Sequence, residues 1–103
     1  MTSRVEFTRR ALDEIEDAAA RYEIQQTGLG EAFVEAARET AKRIAAHPKA
    51  FQVVVEDIRR ANFPRRWPWS LFYVVRPDRS IVIATLSQRQ DSSRLPGRNP
   101  PKI

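Results

Sequence analysis

The sequence predicts an α+β fold: an N-terminal strand, then an antiparallel helical hairpin that packs on a small, mostly antiparallel β-sheet. Two observations support this fold. Apolar residues recur at helical spacing in the first half of the chain and at strand spacing in the second half. Glycines and prolines separate these segments, which gives the order strand, helix, helix, strand, strand, strand. At 103 residues, the chain has the size of one domain.

The first strand and the first helix follow from residues 4–26. Residues 4–7 alternate between charged and apolar side chains, which is typical of a half-buried strand. Thr8 is expected to cap the helix, because its hydroxyl can accept a hydrogen bond from the first helical turn. The helix is predicted from Arg9 to about Gln26. Its apolar face contains Leu12, Ile15, Ala19 and Tyr22, with Ala11 and Ala18 beside them.

A second helix is predicted from Leu29 to His47. Gly28 and Gly30 interrupt the first helix and favour a reversal of the chain, and Pro48 ends the second helix. The second helix therefore folds back against the first as a helical hairpin. Its apolar face contains Phe33, Ala37, Thr40 and Ile44.

The remaining strands are predicted over residues 51–55, 70–75 and 81–86, where apolar and β-branched residues dominate. A turn around Pro77 joins the last two strands. These two strands are apolar at nearly every position. Either both of their faces are covered within the chain, or the helices cover one face and a partner covers the other. We expect residues 1–87 to form one domain and residues 88–103 an extended or partly disordered basic tail.

Composition excludes several classes of protein. The chain has no cysteine and a single histidine, His47, so we predict no disulfide, no metal site and no cofactor. His47 lies at the end of the second helix and is expected to cap it. No segment has the apolar length of a signal peptide or a membrane span, so we expect a cytoplasmic protein with no membrane partner.

Charge is distributed unevenly along the chain. Residues 1–58 contain 8 basic and 11 acidic residues, whereas residues 59–103 contain 10 basic and 2 acidic residues. The basic half includes a short segment in which two arginine pairs lie among aromatic residues and prolines. This segment is predicted to contact an anionic target or an acidic partner. Its candidate residues are Arg59, Arg60, Arg65, Arg66, Trp67 and Trp69.

Two alternatives accompany that prediction. If the arginine pairs alternate along a strand and its loop, only one arginine of each pair can share a face, and half of these arginines are simply solvated. At least one of Trp67 and Trp69 is expected to belong to the core beneath the helical hairpin. The other is a candidate anchor for a partner.

Several motifs in the observed order resemble the RelE/ParE superfamily of type II toxins, which includes plasmid stabilisation proteins. Many members have an Arg-Arg pair before a Phe-Pro-Tyr-like tripeptide that opens a strand, and here the tripeptide is Trp67-Pro68-Trp69. The last strand closes with the segment Leu86-Ser87-Gln88-Arg89-Gln90-Asp91. The opening Val5-x-Phe7-Thr8 and the Gly28-x-Gly30 break are also similar. The resemblance covers roughly residues 4–94.

The resemblance implies a toxin that arrests growth and is neutralised by a cognate antitoxin. Gln88 stands where many members have histidine, and the tail contains no tyrosine or histidine. The chain is therefore closer to the ParE branch, whose members poison DNA gyrase. Gln88, Arg89 and Arg94 match the family's functional C-terminal segment and are candidate contacts with the target or the antitoxin.

Two other functions remain open. One is an endoribonuclease that cuts messenger RNA on the ribosome, with Arg60, Arg66 and Arg89 as candidate contacts to the scissile phosphate. Arginine can stabilise a phosphate transition state, but a partner for proton transfer is not identified, so no catalytic residue is assigned. The other is a basic nucleic-acid-binding module that is not toxic.

Overall fold

The computed structural model of the chain describes residues 3–65, 67–89 and Leu95. It contains two helices and five strands and confirms the predicted α+β class. The elements in chain order are β1 (Arg4–Phe7), α1 (Arg9–Gln25), α2 (Leu29–Ala46), β2 (Val53–Val55), β3 (Ile58–Asn62), β4 (Trp69–Arg76) and β5 (Arg79–Ser87).

All five strands belong to one sheet in the order β1-β5-β4-β3-β2. β1 runs parallel to β5, and the other neighbouring strands are antiparallel, as expected for a mostly antiparallel sheet. The predicted order lacked one strand, β3. Its sequence, Ile-Arg-Arg-Ala-Asn, has no regular alternation, because its two buried residues, Ile58 and Ala61, belong to hydrophobic clusters on opposite faces of the sheet.

Helix α1 begins as predicted, because the Thr8 hydroxyl accepts a hydrogen bond of 3.1 Å from the Ala11 amide. The predicted apolar face was wrong at Leu12, which is 37% exposed. The buried residues of α1 are Ala11, Ile15 and Ala18. Two of these are alanines, and their small side chains allow the helix to lie close to its neighbours.

The turn between the helices is held by Glu23, whose carboxylate accepts hydrogen bonds from the Gly28 and Gly30 amides. Gly28 has a φ of 90°, a conformation that favours glycine. A Cβ on Gly30 would lie only 2.5 Å from the Ala19 carbonyl oxygen of α1, so the two helices touch at this point. The predicted face of α2 is confirmed: Phe33, Ala37, Thr40 and Ile44 are buried.

The sheet has a helix face, which packs against α1 and α2, and a far face on its opposite side. Phe33 of α2 lies at the centre of the helix-face core, within 5.4 Å of the ring centroids of Tyr22, Phe63, Trp67 and Trp69. On the far face, Ile58, Val74, Ile81 and Ile83 are also buried. Of the two alternatives for the apolar strands, the structure supports burial of both faces within the chain.

Most of the predicted tail, including Arg94, lies outside the described residues. Leu95 is described and buried, and it packs with Ala84 and Leu86 on the far face. The boundary at residue 87 stays a prediction. Within the described part of the chain, neither helix combines the length and apolar character needed to cross a membrane.

Candidate functional site

A cavity of about 530 Å³ opens on the far face of the sheet and is the candidate functional site. We call it the far-face cavity. Strands β2 to β5 and the residues after β5 build its walls, so it draws on distant parts of the sequence. Its lining residues are Val54, Val55, Arg60, Asn62, Ser70, Phe72, Leu86, Ser87, Gln88 and Leu95.

Strand alternation places the polar side chains of this cavity. Arg60 lies opposite Phe72, and Asn62 lies opposite Ser70, in the antiparallel pairing of β3 with β4. Residues two apart on a strand share a face, so Arg60 and Asn62 both reach the far face. The Ser70 hydroxyl donates a hydrogen bond of 2.7 Å to the Asn62 side-chain oxygen, which orients the amide beside the arginine.

Gln88 reaches the same cavity from the end of β5. Its backbone amide donates a hydrogen bond of 2.8 Å to the Pro68 carbonyl oxygen, which holds the chain against the start of β4. The structure thus brings together two predicted site residues, Arg60 and Gln88. Arg89, the residue after Gln88, is exposed, and Arg94 lies outside the described residues.

Asn62, Ser70 and Leu95 line the far-face cavity but were not predicted as site residues from the sequence. Extending the alternation from Arg60 by two positions would have identified Asn62. Ser70 was included only as the first residue of a predicted strand. Leu95 carried no signal, because nothing in the sequence indicates that an apolar residue of the tail returns to the far face.

Arg59 points away from the far-face cavity, as expected for the neighbour of Arg60 on a strand. Its Nη1 atom donates hydrogen bonds of 3.1 Å to the Lys49 carbonyl oxygen and 2.7 Å to the Phe51 carbonyl oxygen. The guanidinium therefore holds the loop that follows α2. The predicted arginine cluster is divided between the two faces of the sheet.

Arg65 is bound by an acidic side chain of α2. Its two terminal nitrogens donate hydrogen bonds of 3.0 and 2.9 Å to the Glu39 carboxylate. These hydrogen bonds, together with the charge of Arg65, hold the pKa of Glu39 below its usual range. Arg66, the other member of this pair, lies outside the described residues.

Both tryptophans pack on the helix face. Trp69 is 8% exposed, and its Nε1 atom donates a hydrogen bond of 2.9 Å to the Tyr22 hydroxyl. Trp67 is half-buried and meets the rings of Tyr22 and Phe33 edge-on. The core role expected for at least one tryptophan therefore holds for both, and contact of either with a partner stays a prediction.

The described lining of the far-face cavity carries groups that can bind a charged or polar partner. Arg60 supplies a cation, Asn62 and Gln88 supply amides, and Phe72 and Leu86 supply apolar surface. Among its described lining residues, Arg60 is the one that ionises, and arginine does not transfer protons near neutral pH. Tyr73 lies elsewhere, on the helix face, where burial raises its pKa to about 12.

No group of three or more metal-ligating side chains occurs within residues 3–65 and 67–89 or at Leu95. The sequence likewise contains no cysteine. Nothing in the described geometry identifies residues that would hold a metal ion, and the far-face cavity has no carboxylate or imidazole among its described lining residues.

Comparison with known proteins identifies the family. Among solved structures, the chromosomal ParDE TA system from P. aeruginosa contains a chain of similar fold, with a TM-score of 0.64 and 16% identity. The similarity covers 84% of this chain and 96% of that chain. A search of curated proteins gives no match. The family described as the ParE toxin of the type II toxin–antitoxin system parDE matches residues 5–92. The chain therefore belongs to the ParE toxin family of type II toxin–antitoxin systems.

Proposed function

We propose that this protein arrests growth by acting on DNA gyrase and that a cognate antitoxin neutralises it. The observation that carries the proposal is the family match over residues 5–92. The resemblance to the ParE branch implies gyrase as the target. The ParDE chain from P. aeruginosa shares the fold of this chain.

The geometry of the far-face cavity supports an inhibitor that binds its target. Endoribonuclease chemistry needs a group that accepts or donates a proton near the scissile phosphate. The described lining residues offer Arg60 with amides and a hydroxyl, which can bind and orient a partner. We therefore place the contact with the target or the antitoxin at Arg60 and Gln88, with Arg89 beside them.

The proposed antitoxin would be recognised by charge and by apolar surface. Arg60 lines the far-face cavity together with the apolar side chains of Phe72 and Leu86. A segment of the antitoxin that presents an acidic side chain next to apolar ones matches this arrangement, and such segments commonly fold on binding. The edge strand β2 adds Val55 to the same surface, and this side chain is 41% exposed.

Controlled expression in a bacterial host tests the target. We expect arrest with filamentation and a DNA-damage response, and inhibition of supercoiling by purified gyrase when the purified protein is added. Arg60→Gln should weaken both effects. Arg21→Gln, which changes an exposed arginine of α1, is the matched control and should retain them. A rapid halt in protein synthesis, with cleavage of messenger RNA on purified ribosomes, would instead support the endoribonuclease.

Co-expression with the product of the adjacent gene tests neutralisation. We expect growth to recover and the two proteins to co-elute as a stable complex. Toxicity that persists although the two proteins are both present would contradict the antitoxin assignment. No arrest, no gyrase inhibition and salt-dependent binding to nucleic acid would favour a nucleic-acid-binding module.

A further inference from the structure

A second cavity lies at the end of the sheet where the β4–β5 turn approaches the loop after α2. We call it the end cavity. It has a volume of about 550 Å³ and shares no lining residue with the far-face cavity. Its size is typical of sites for small ligands. Charged residues make up half of its lining: Lys49, Asp57, Arg59, Arg76, Asp78 and Arg79.

The loop that forms one wall of the end cavity is fixed by side chains of the sheet. The Tyr73 hydroxyl donates a hydrogen bond of 2.6 Å to the Pro48 carbonyl oxygen. Arg59 holds the next part of the loop through the Lys49 and Phe51 carbonyl oxygens. A wall held in place before binding lowers the entropy cost of taking up a ligand.

The cations of the end cavity are only partly neutralised. Arg76 forms an ion pair of 3.1 Å with Asp57, whereas Arg79 Nε lies 3.6 Å from Glu6, beyond hydrogen-bond length. Within the described residues, Lys49 and Arg59 form no ion pair with a carboxylate. Asp78 also lines the cavity, but the four cations outnumber its two carboxylates.

The side chain of Ser80 is a second feature of the end cavity, separate from its charges. It lines the end cavity and is 1% exposed, yet its Oγ atom has no hydrogen-bond partner. Among the described residues, the only other buried side-chain polar atom without a partner is Arg79 Nε, which belongs to the next lining residue. Buried hydroxyls nearly always have a partner, so the unpaired Ser80 hydroxyl is available to hydrogen-bond a group that enters the cavity.

The pairing of the strands places Ser80 and Arg59 on the same face. Arg59 lies opposite Tyr73 in the pairing of β3 with β4, and Ser80 lies opposite Val75 in the pairing of β4 with β5. Tyr73 and Val75 are two residues apart on β4 and share a face, so their partners share it too. A guanidinium and an unpaired hydroxyl thus approach the end cavity from the same side.

We propose that the end cavity is a binding site for an oxyanion, a phosphate or carboxylate group, held by Arg59, Lys49 and Ser80. Guanidinium groups donate parallel hydrogen bonds to both oxyanions, and the ammonium group adds charge. The Arg59 Nη1 atom is used by the loop, which leaves the other guanidinium nitrogens for the ligand. This site is separate from the far-face cavity and does not depend on the target of the toxin.

Nuclear magnetic resonance titration of the isotope-labelled full chain tests the site. Sodium phosphate and sodium acetate are the two probes, and sodium chloride at matched ionic strength is the control for screening. We expect saturable shifts of the Lys49, Arg59 and Ser80 amides, with the Arg60 and Gln88 amides unmoved. Saturation by phosphate alone identifies a phosphoryl ligand, and saturation by acetate alone identifies a carboxylate.

Variants separate binding from folding. Lys49→Gln changes an exposed side chain and should weaken the apparent affinity by about tenfold, the loss expected for one charge-assisted hydrogen bond. Arg59→Lys keeps a positive charge but removes the guanidinium fork, and it should weaken binding to a similar degree. Arg38→Gln, on the exposed surface of α2, should bind as the wild type does. Equal shifts with chloride, or binding unaffected by Lys49→Gln and Arg59→Lys in folded protein, would overturn the proposal.

Discussion

Arg65 donates two parallel hydrogen bonds to the Glu39 carboxylate and so ties the β3–β4 connection to helix α2. Arg65 has a φ of 54°, a left-handed conformation that a residue with a side chain rarely adopts. The ion pair holds this turn in position beside Trp67. Arg65, which the sequence predicts as a contact with an anionic target or an acidic partner, therefore has a structural role in the fold.

Low pH should weaken the ion pair between Arg65 and Glu39. The folded state lowers the pKa of Glu39, so its stabilising contribution is present above the unfolded pKa and is lost as the pH falls through the folded pKa. We expect Glu39→Gln to lower the melting temperature at neutral pH and the difference to shrink towards about pH 3. Thermal melts at several pH values measure it. Glu35→Gln, which removes the exposed pair with Arg38, is the control, and a pH-independent difference would contradict the assignment.

Tyr22→Phe should destabilise the helix-face core although it keeps the aromatic ring. The Trp69 Nε1 atom would lose its acceptor in a site where the indole is 8% exposed. Leaving a buried donor unpaired costs about 1–3 kcal/mol of the free energy of unfolding. Urea denaturation measures the loss, and Ile24→Ala is a control because Ile24 is 86% exposed. A change as small as that of the control would mean that water replaces the tyrosine hydroxyl.

Gly30→Ala should destabilise the protein, although alanine is usually favoured over glycine in a helix by about 1 kcal/mol. The added methyl group would lie 2.5 Å from the Ala19 carbonyl oxygen, and backbone atoms must move to admit it. The cost of such overpacking is about 1–3 kcal/mol in the free energy of unfolding. Chemical denaturation compares it with Gly28→Asn, where a Cβ meets no atom within 4 Å and asparagine tolerates the positive φ. Stabilisation by Gly30→Ala would show that the helices separate easily.

Tyr73 should ionise at an unusually high pH. Tyr73 is buried, which raises its pKa to about 12. Because this pKa lies above the unfolded value, the stability that Tyr73 contributes is complete below about pH 10 and is lost as the pH rises towards 12. Absorbance titration should show one late phenolate, and Tyr73→Phe should remove it. A late phenolate that persists in Tyr73→Phe would assign it to Tyr22 instead.

The sequence predicted the helical part of the fold well because its signals are local. Thr8 caps α1, and Phe33, Ala37, Thr40 and Ile44 repeat at helical spacing and are buried. Leu12 was wrongly placed at the centre of the apolar face, whereas Ala11, predicted beside that face, is the buried residue. Strand β3 was missed because its two buried residues, Ile58 and Ala61, lie on opposite faces of the sheet and leave no regular alternation.

The far-face cavity was less predictable because it depends on strand pairing. Arg60 and Gln88 line the same cavity because β3, β4 and β5 are neighbours in the sheet and the Gln88 amide is hydrogen-bonded to the Pro68 carbonyl oxygen. Arg65 forms its ion pair with Glu39, which lies 26 positions earlier in the chain. Nothing in the sequence indicates that these two residues pair. Contacts of this kind become visible only when the tertiary fold is known.

The parallel pairing of β1 with β5 affects how the protein can be made. Phe7, near the start of the chain, takes its sheet partner from Val82, so β1 has no neighbour until almost the whole domain has left the ribosome. Pairings between residues so distant in sequence close slowly compared with the local helical hairpin. A nascent chain without β5 therefore lacks the completed sheet, and it also lacks the β5 residues Leu86 and Ser87 that line the far-face cavity.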